Sequence, residues 1–264
     1  MITNDIVNNY KNWFDQYIDR VVQKYPDLIE NIEIKADHCR KVSNEIVGLA
    51  QNLNLTDEEI LLAETIGLFH DVGRFRQYVR YQTFSDSKSQ NHAELALDVI
   101  KENNVLSELS KEEQNVIFKS ILNHSRAEII PDKNEKVNFY SKLIRDADKL
   151  DIWRLITEYY MVKEQKENKT LELELPDKEE ITDEVLNSIM NKQVVLKESM
   201  KTLNDFKLLQ IAWIFDLNFK YSIQRVYEKK YLDKIFVALP DNEKVNQIKE
   251  IVKSYFKNHI ETFT

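Results

Sequence analysis

Apolar residues recur at helical spacing along most of the chain. The first apolar stripe ends near Pro26 and comprises Ile6, Tyr10, Trp13, Phe14, Tyr17 and Val21. A second helix is predicted over about residues 28–53. A third helix begins at Thr56, where Glu59 completes a capping box, and runs to about His70. The first quarter of the sequence therefore predicts three consecutive helices.

The remaining sequence continues the helical pattern with two interruptions. Residues 71–88 are predicted to form a long connection with some helical character, after which Ser89 caps a fourth helix. A capping box at Ser110 opens a fifth helix, and a sixth runs from about residue 137 past residue 151. Residues 163–180 are highly charged, and within them residues 170–175 alternate like a short strand. Residues 181–264 are again predicted to be helical.

These elements predict an all-α fold, a helical bundle with a C-terminal helical extension. We expect residues 1–160 to form the helical core and residues 161–264 to form the extension, packed on the core as one compact unit. The scarcity of Gly and Pro agrees with this, because β-sandwiches and barrels need many tight turns.

Composition excludes several classes of function. With three glycines, Gly48, Gly67 and Gly73, the sequence contains neither a dinucleotide-binding GxGxxG nor a phosphate-binding GxxxxGK[ST]. The single cysteine excludes an internal disulfide and cysteine-based zinc sites. A net charge of −8 gives no general attraction to nucleic acid or to an anionic membrane. The longest near-apolar stretch is too short to span a bilayer. We therefore expect a cytoplasmic protein with no nucleic-acid and no membrane partner.

Four of the five histidines lie on the apolar faces of four different predicted helices. They are His38, His70, His92 and His124. A single histidine in such a position is more often a core residue whose ring nitrogens bind backbone carbonyls. Four of them in one chain favour metal binding instead, because neutral imidazole is the commonest metal ligand and helical bundles build metal sites from facing helices.

Carboxylates accompany these histidines. Asp71 directly follows His70, and Gly73 is expected to end the helix there, so that both side chains converge on one ion. In the segment 145–151, Asp148 lies on the inward face and is the expected ligand. Asp151 is expected to support a ligand, and Asp146 to be an outer or substrate-side group, with a solvated helix face as the alternative for both.

The candidate ligand set is therefore His38, His70, Asp71, His92, His124 and Asp148. Four imidazoles and two carboxylates suit two divalent first-row transition metals, Fe, Mn or Co rather than Mg. A single ion remains an alternative, but it would leave His92 and His124 unexplained.

This ordered pattern resembles the HD-domain superfamily of metal-dependent phosphohydrolases over about residues 30–155. The resemblance is carried by His38 in ADHCRKV, by His70 and Asp71 in GLFHDVGRF, and by Asp148 in RDADKLD. His92 in NHAELA and His124 in ILNHSR are similar to the added ligands of dinuclear members. No GYP motif follows the last ligand, which disfavours cyclic di-GMP phosphodiesterase activity.

The resemblance implies a phosphomonoesterase or phosphodiesterase that cleaves a small phosphoester, such as a nucleotide, through a metal-activated hydroxide. Asp71 would bridge the ions. Arg74, three residues after that aspartate, matches a basic position of the superfamily and is a candidate catalytic and phosphate-binding residue. Arg126 is a second candidate for both roles, and Arg76 for phosphate binding alone.

Two other functions are compatible with the same ligand set. One is a mixed-valent diiron oxygenase, and the other is a non-catalytic nucleotide-binding regulatory protein. Metal content and oxygen consumption would separate them. The substrate, the number of ions and any oligomeric state remain open at this point.

Overall fold

The computed structural model describes residues 2–161 and 168–260. Within these residues the structure contains helices and no strands, which confirms the predicted all-α fold. The first seven helices are α1 Asn4–Lys24, α2 Ile29–Asn52, α3 Asp57–Phe69, α4 Gly73–Tyr81, α5 His92–Glu102, α6 Lys111–His124 and α7 Glu135–Met161. The remaining five are α8 Asp183–Met190, α9 Leu203–Ala212, α10 Lys220–Glu228, α11 Tyr231–Val237 and α12 Glu243–Ile260. None of these described helices combines the length and apolar character that crossing a membrane requires.

The chain divides into two compact units, Met1–Asp151 and Ile152–Thr264. The division falls inside α7, nine residues before the boundary expected from the sequence. All six candidate ligands belong to the first unit. The packing of the extension on the core stays a prediction.

Side-chain caps set the starts of the helices around the candidate site. At Thr56 and at Ser110 the hydroxyl accepts from the backbone amide three residues on, and the glutamate there accepts from the capping residue's own amide. Both predicted capping boxes are confirmed. The predicted cap at Ser89 is wrong, because Asn91 accepts from the amides of Ala93 and Glu94 and α5 begins at His92.

Two glycines let helices approach closely at the site. A Cβ on Gly67 would lie 2.8 Å from the Ile46 side chain and 2.9 Å from the Ser43 backbone, so α3 packs directly against α2. A Cβ on Gly73 would lie 2.1 Å from the carbonyl oxygen of His92, so α4 packs directly against α5. The expected role of Gly73 as the end of the third helix is wrong. It begins α4 without a positive φ, and it is needed for close approach rather than for a left-handed turn.

In the second unit, residues 169–174 form turns rather than the predicted strand. The Asn168 side chain accepts from the amides of Thr170 and Leu171, and Leu173 and Glu174 have positive φ values. Left-handed residues cannot continue a strand, so the alternation over residues 170–175 misled the prediction. The charged segment predicted over residues 163–180 lies partly outside the described residues.

Candidate metal centre

Four helices and the junction between two others bring the six candidate ligands together inside the first unit. His38 lies in the middle of α2, His70 and Asp71 join α3 to α4, His92 begins α5, and His124 ends α6. The sixth, Asp148, lies in α7. The four imidazoles and Asp71 are buried, while the side chain of Asp148 is 18% exposed.

One group of donor atoms forms around the first two histidines. His38 Nε2 lies 3.1 Å from Asp148 Oδ1, and His70 Nε2 lies 3.5 Å from the same oxygen. Both nitrogens lie 3.8 Å from Asp71 Oδ2. We call these four donors the first position.

A second group forms around the other two histidines. His92 Nε2 and His124 Nε2 are 3.1 Å apart, and they lie 3.3 Å and 3.6 Å from Asp71 Oδ1. We call these three donors the second position. The two carboxylate oxygens of Asp71 therefore face different histidine pairs, which is the arrangement of a bridging ligand.

Bound cations would satisfy these donor atoms better than hydrogen bonds among the atoms themselves. Three sets of three residues have ligand atoms within 4.8 Å: His38, His70 and Asp71; His70, His124 and Asp148; and Asp71, His92 and His124. Among the described residues, His38 Nε2, His70 Nε2 and Asp71 Oδ1 are buried without a hydrogen-bond partner. Leaving such atoms unpaired is costly. Because imidazole nitrogen and carboxylate oxygen are ordinary transition-metal ligands, the residues present fit a bound metal.

The other ring nitrogen of each histidine is held by an acceptor. The Nδ1 atom of His70 lies 2.8 Å from the Gly67 carbonyl, and that of His124 lies 2.6 Å from the Ile121 carbonyl. Since a carbonyl only accepts, Nδ1 carries the proton and Nε2 presents its lone pair to the centre.

The other two histidines are held by carboxylates. His38 Nδ1 lies 2.7 Å from Asp151 Oδ2, as the sequence suggested when it gave Asp151 a supporting role. His92 Nδ1 lies 2.7 Å from Asp86 Oδ2. The alternative of a solvated face for Asp146 and Asp151 is wrong, since both are buried.

Burial favours neutral imidazoles at two of the ligands. It lowers the pKa of His70, and together with the charge of Arg74 it lowers the pKa of His92 to about 3. At His38 burial and the charge of Lys35 act in the same direction, but the neighbouring Asp148 and Asp151 outweigh them and raise the pKa. His70 and His92 are therefore neutral at pH 7, the state in which imidazole binds metal.

Both central carboxylates are ionised despite their surroundings. Burial raises the pKa of Asp71, but the nearby charges of Lys35 and Arg74 outweigh it and hold the pKa well below its usual range. Burial also raises the pKa of Asp148, but its close contacts with His38 and His70 outweigh burial and hold the pKa well below its usual range. The centre therefore concentrates negative charge where a cation would bind.

Sequence reasoning missed Lys35. Its Nζ lies 2.9 Å from Asp71 Oδ2 and 5.6 Å from the centre of the Phe84 ring. Lys35 precedes His38 by three residues, and residues three apart share a helix face, so the spacing alone could have identified it.

Sequence reasoning also missed Asp86. It lies in residues 82–91, between two helices, where no periodicity predicts which way a side chain points.

The three candidate arginines have different surroundings. Arg74 lies at the centre, with Nη2 3.3 Å from His92 Nε2 and Nη1 donating to the Phe84 carbonyl and to Asp86. Arg126 is exposed, two residues beyond His124.

Arg76 is directed elsewhere, because its guanidinium binds Glu102 in a bidentate manner. Glu102 and His92 are the last and first residues of α5, about 15 Å apart along the axis at about 1.5 Å per residue. The structure therefore does not bring Arg76 to the ligands, and its predicted role in phosphate binding has no support in this geometry.

Comparison with known proteins gives one match. The family model described as the HD domain matches residues 36–153, which include all six candidate ligands and Asp151. No curated protein and no solved structure matches the chain.

Proposed function

Since the HD-domain family model matches residues 36–153 of this chain, we propose that the protein is a metal-dependent phosphohydrolase acting on a nucleotide or another small phosphoester. The proposal depends on one observation: the two carboxylate oxygens of Asp71 face two separate histidine pairs. A carboxylate in this arrangement suits two ions rather than one.

The chain's own residues would hold each ion from several sides. His38, His70 and Asp148 would bind one ion, and His92 and His124 the other, with Asp71 shared between them. When bound, such ions supply Lewis acidity toward phosphate oxygens and lower the pKa of a coordinated water. Imidazole-rich donor sets favour Mn, Fe or Co over Mg, which prefers an all-oxygen shell.

Cationic side chains would recognise the phosphate. Lys35 lies beside Asp71 with 13% of its side chain exposed, and Arg126 is exposed just beyond His124. Both can donate charge-assisted hydrogen bonds to phosphate oxygens. The sequence has no glycine-rich loop that could bind phosphate through backbone amides, so side-chain cations would carry this task.

Arg74 would act differently from the simple phosphate ligand that the resemblance implies. Its guanidinium already donates to Phe84, Gln77 and Asp86, so its charge is held in place. A fixed positive charge at this point would stabilise negative charge developing on a bound phosphoryl group.

The test is a substrate screen on metal-loaded protein. Protein reconstituted with Mn, Co or Fe is assayed for phosphate release from nucleoside mono-, di- and triphosphates, cyclic nucleotides and dinucleoside polyphosphates. Asp71→Ala protein serves as the matched control. Metal-dependent hydrolysis that is absent in this variant would support the proposal. Oxygen consumption without hydrolysis would contradict it and favour the oxygenase alternative, and metal-independent nucleotide binding without turnover would favour a regulatory protein.

A further inference from the structure

The groups that accept from Nδ1 of the four histidines lie in different elements of the structure. His70 is held by a carbonyl of α3 and His124 by a carbonyl of α6, while His38 is held by Asp151 in α7. His92 alone among these four is held by a residue outside the α-helices, Asp86, within the segment 82–91. We call this segment the 82–91 loop.

The 82–91 loop is attached to α4 by a buried side chain. Gln77 is fully buried, and its Nε2 donates to Asp86 Oδ1, to Ser89 Oγ and to the Gln90 carbonyl. Asp86 Oδ1 also lies 3.2 Å from Arg74 Nη1. The carboxylate is therefore fixed between α4 and the first residue of α5, and it cannot rotate away from His92 without breaking these bonds.

The charges around Asp86 reinforce this geometry. Burial raises the pKa of Asp86, but the hydrogen bond that it accepts from His92 and the neighbouring charge of Arg74 outweigh burial and hold the pKa below its ordinary value. Asp86 is consequently an anion. It contacts the guanidinium of Arg74, whose Nη2 lies 3.3 Å from His92 Nε2.

The two metal positions are unequal in their donors. The first has four, two imidazoles and two carboxylates, whereas the second has two imidazoles and the shared Asp71. Arg74 adds a positive charge beside the second position, with its Nε 3.4 Å from Asp71 Oδ1. A position with fewer donors and a cation nearby depends more strongly on the orientation of each ligand.

We propose that Asp86 is the positioning residue of the second metal position and that the 82–91 loop is thereby coupled to its occupancy. By accepting from His92 Nδ1, Asp86 turns Nε2 toward His124 and Asp71, and its negative charge offsets that of Arg74. The inference rests on the proposed dinuclear function.

Coupling between an ion and a loop acts in both directions. If Asp86 strengthens binding at the second position, an ion bound there stabilises the loop by the same free energy. Lys88 is exposed in this loop, so cleavage by trypsin at Lys88 should slow when the second position is filled.

Metal titration tests the proposal without any assay of activity. Full-length apoprotein is titrated with Mn²⁺ by calorimetry, and bound metal is checked by elemental analysis after dialysis. The wild type should bind two equivalents in a tighter and a weaker step. Asp86→Ala should weaken the second step about 10- to 100-fold, as expected for loss of an outer carboxylate, and leave the first within about 2-fold. Asp86→Asn keeps the shape and a hydrogen-bond acceptor, so its affinity in the second step should lie between those of the wild type and Asp86→Ala.

Two further variants are matched controls. Asp151→Asn removes the corresponding charge behind His38 and should weaken the first step instead. Ser87→Ala alters an exposed residue of the 82–91 loop and should change neither step. Circular dichroism melts of each apoprotein separate metal effects from loss of fold, and Asp86→Asn keeps the test informative if Asp86→Ala does not fold.

The outcomes separate the inference from the proposed function. Equal weakening of both steps by Asp86→Asn, or weakening of neither, would overturn the role of Asp86. A wild type that binds one equivalent would overturn the inference, whereas the hydrolase is tested by the substrate screen alone. Two equivalents with the expected Asp86 effect, but no phosphoester hydrolysis, would leave the inference standing and reject the hydrolase.

Discussion

Lys35 Nζ lies 2.9 Å from Asp71 Oδ2, the oxygen that also faces His38 and His70. A lysine in this place can serve either the aspartate or a bound anion. The two roles differ in what happens to metal binding when the charge is removed.

We expect Lys35→Met to lower kcat/KM for a phosphoester about 10- to 100-fold, the equivalent of one hydrogen bond to a charged group. Metal affinity should not fall, because the lost positive charge opposed cation binding. Lys41→Met removes an exposed lysine from the same helix and should be neutral. Steady-state kinetics with a parallel metal titration measures both effects. A loss of metal in Lys35→Met would instead mean that Lys35 holds Asp71 in place.

Asp71→Ala should remove donors from both positions at once. Bound metal should fall from two equivalents toward none, with affinity reduced by more than the roughly 10- to 100-fold typical of outer residues. Elemental analysis after dialysis against Mn²⁺ provides the measurement. Asp37→Ala, which alters an exposed carboxylate next to His38, should keep full metal content. Unchanged metal content in Asp71→Ala would rule out this assignment of the ligands.

Gly73→Ala and Gly48→Ala should shift stability in opposite directions. The added methyl at Gly73 would lie 2.1 Å from the His92 carbonyl and 2.4 Å from the Ala96 amide nitrogen, which are backbone atoms. We expect it to cost about 1–3 kcal/mol and to weaken the second metal position by moving α5. A methyl at Gly48 meets nothing within 4 Å and should stabilise α2 by about 0.5–1 kcal/mol. Urea denaturation compares the two, and equal effects would contradict the close-approach role of Gly73.

The capping box at Ser110 should make stability depend on pH. Partial burial raises the pKa of Glu113, but hydrogen bonds accepted from Ser110 outweigh it, and the net pKa lies below the ordinary 4.5. A pKa lowered by folding contributes stability that is present above the unfolded value and is lost as pH falls through the folded value.

Glu113→Gln removes the charge and keeps one accepting oxygen for the Ser110 amide, but it loses the second acceptor, which receives the Ile2 amide. We therefore expect its Tm to lie about 1–4 °C below that of the wild type at pH 7. The difference should shrink as the pH falls below the ordinary pKa of 4.5 and Glu113 of the wild type becomes protonated. Thermal melts across this range make the comparison. A difference that persists unchanged at acid pH would show that shape, not charge, sets this helix start.

The fold was largely predictable because local signals determine it. Thr56 and Ser110 carry complete capping boxes, and both helices begin where these residues place them. The start of α5 was misplaced by two residues because Ser89 and Asn91 are both good caps. In the structure the Ser89 hydroxyl donates to the Ser85 carbonyl, and Asn91 caps α5.

The ligand residues were predictable for a related reason. Apolar spacing predicts the buried face of a helix, so histidines on that face were identified together. Asp86 could not be found this way, because tertiary contacts from Gln77 determine its direction. For the same reason sequence could not show that Arg76 turns away to Glu102.

The hydrogen bond between His38 and Asp151 joins residues 113 positions apart. Closing so long a stretch of chain costs conformational entropy that is recovered only when the intervening helices pack. The full set of donors therefore cannot come together until nearly the whole first unit has packed. An ion that requires them all would be retained only by molecules that have finished folding, so metal retention would measure the fraction of mature protein in a preparation.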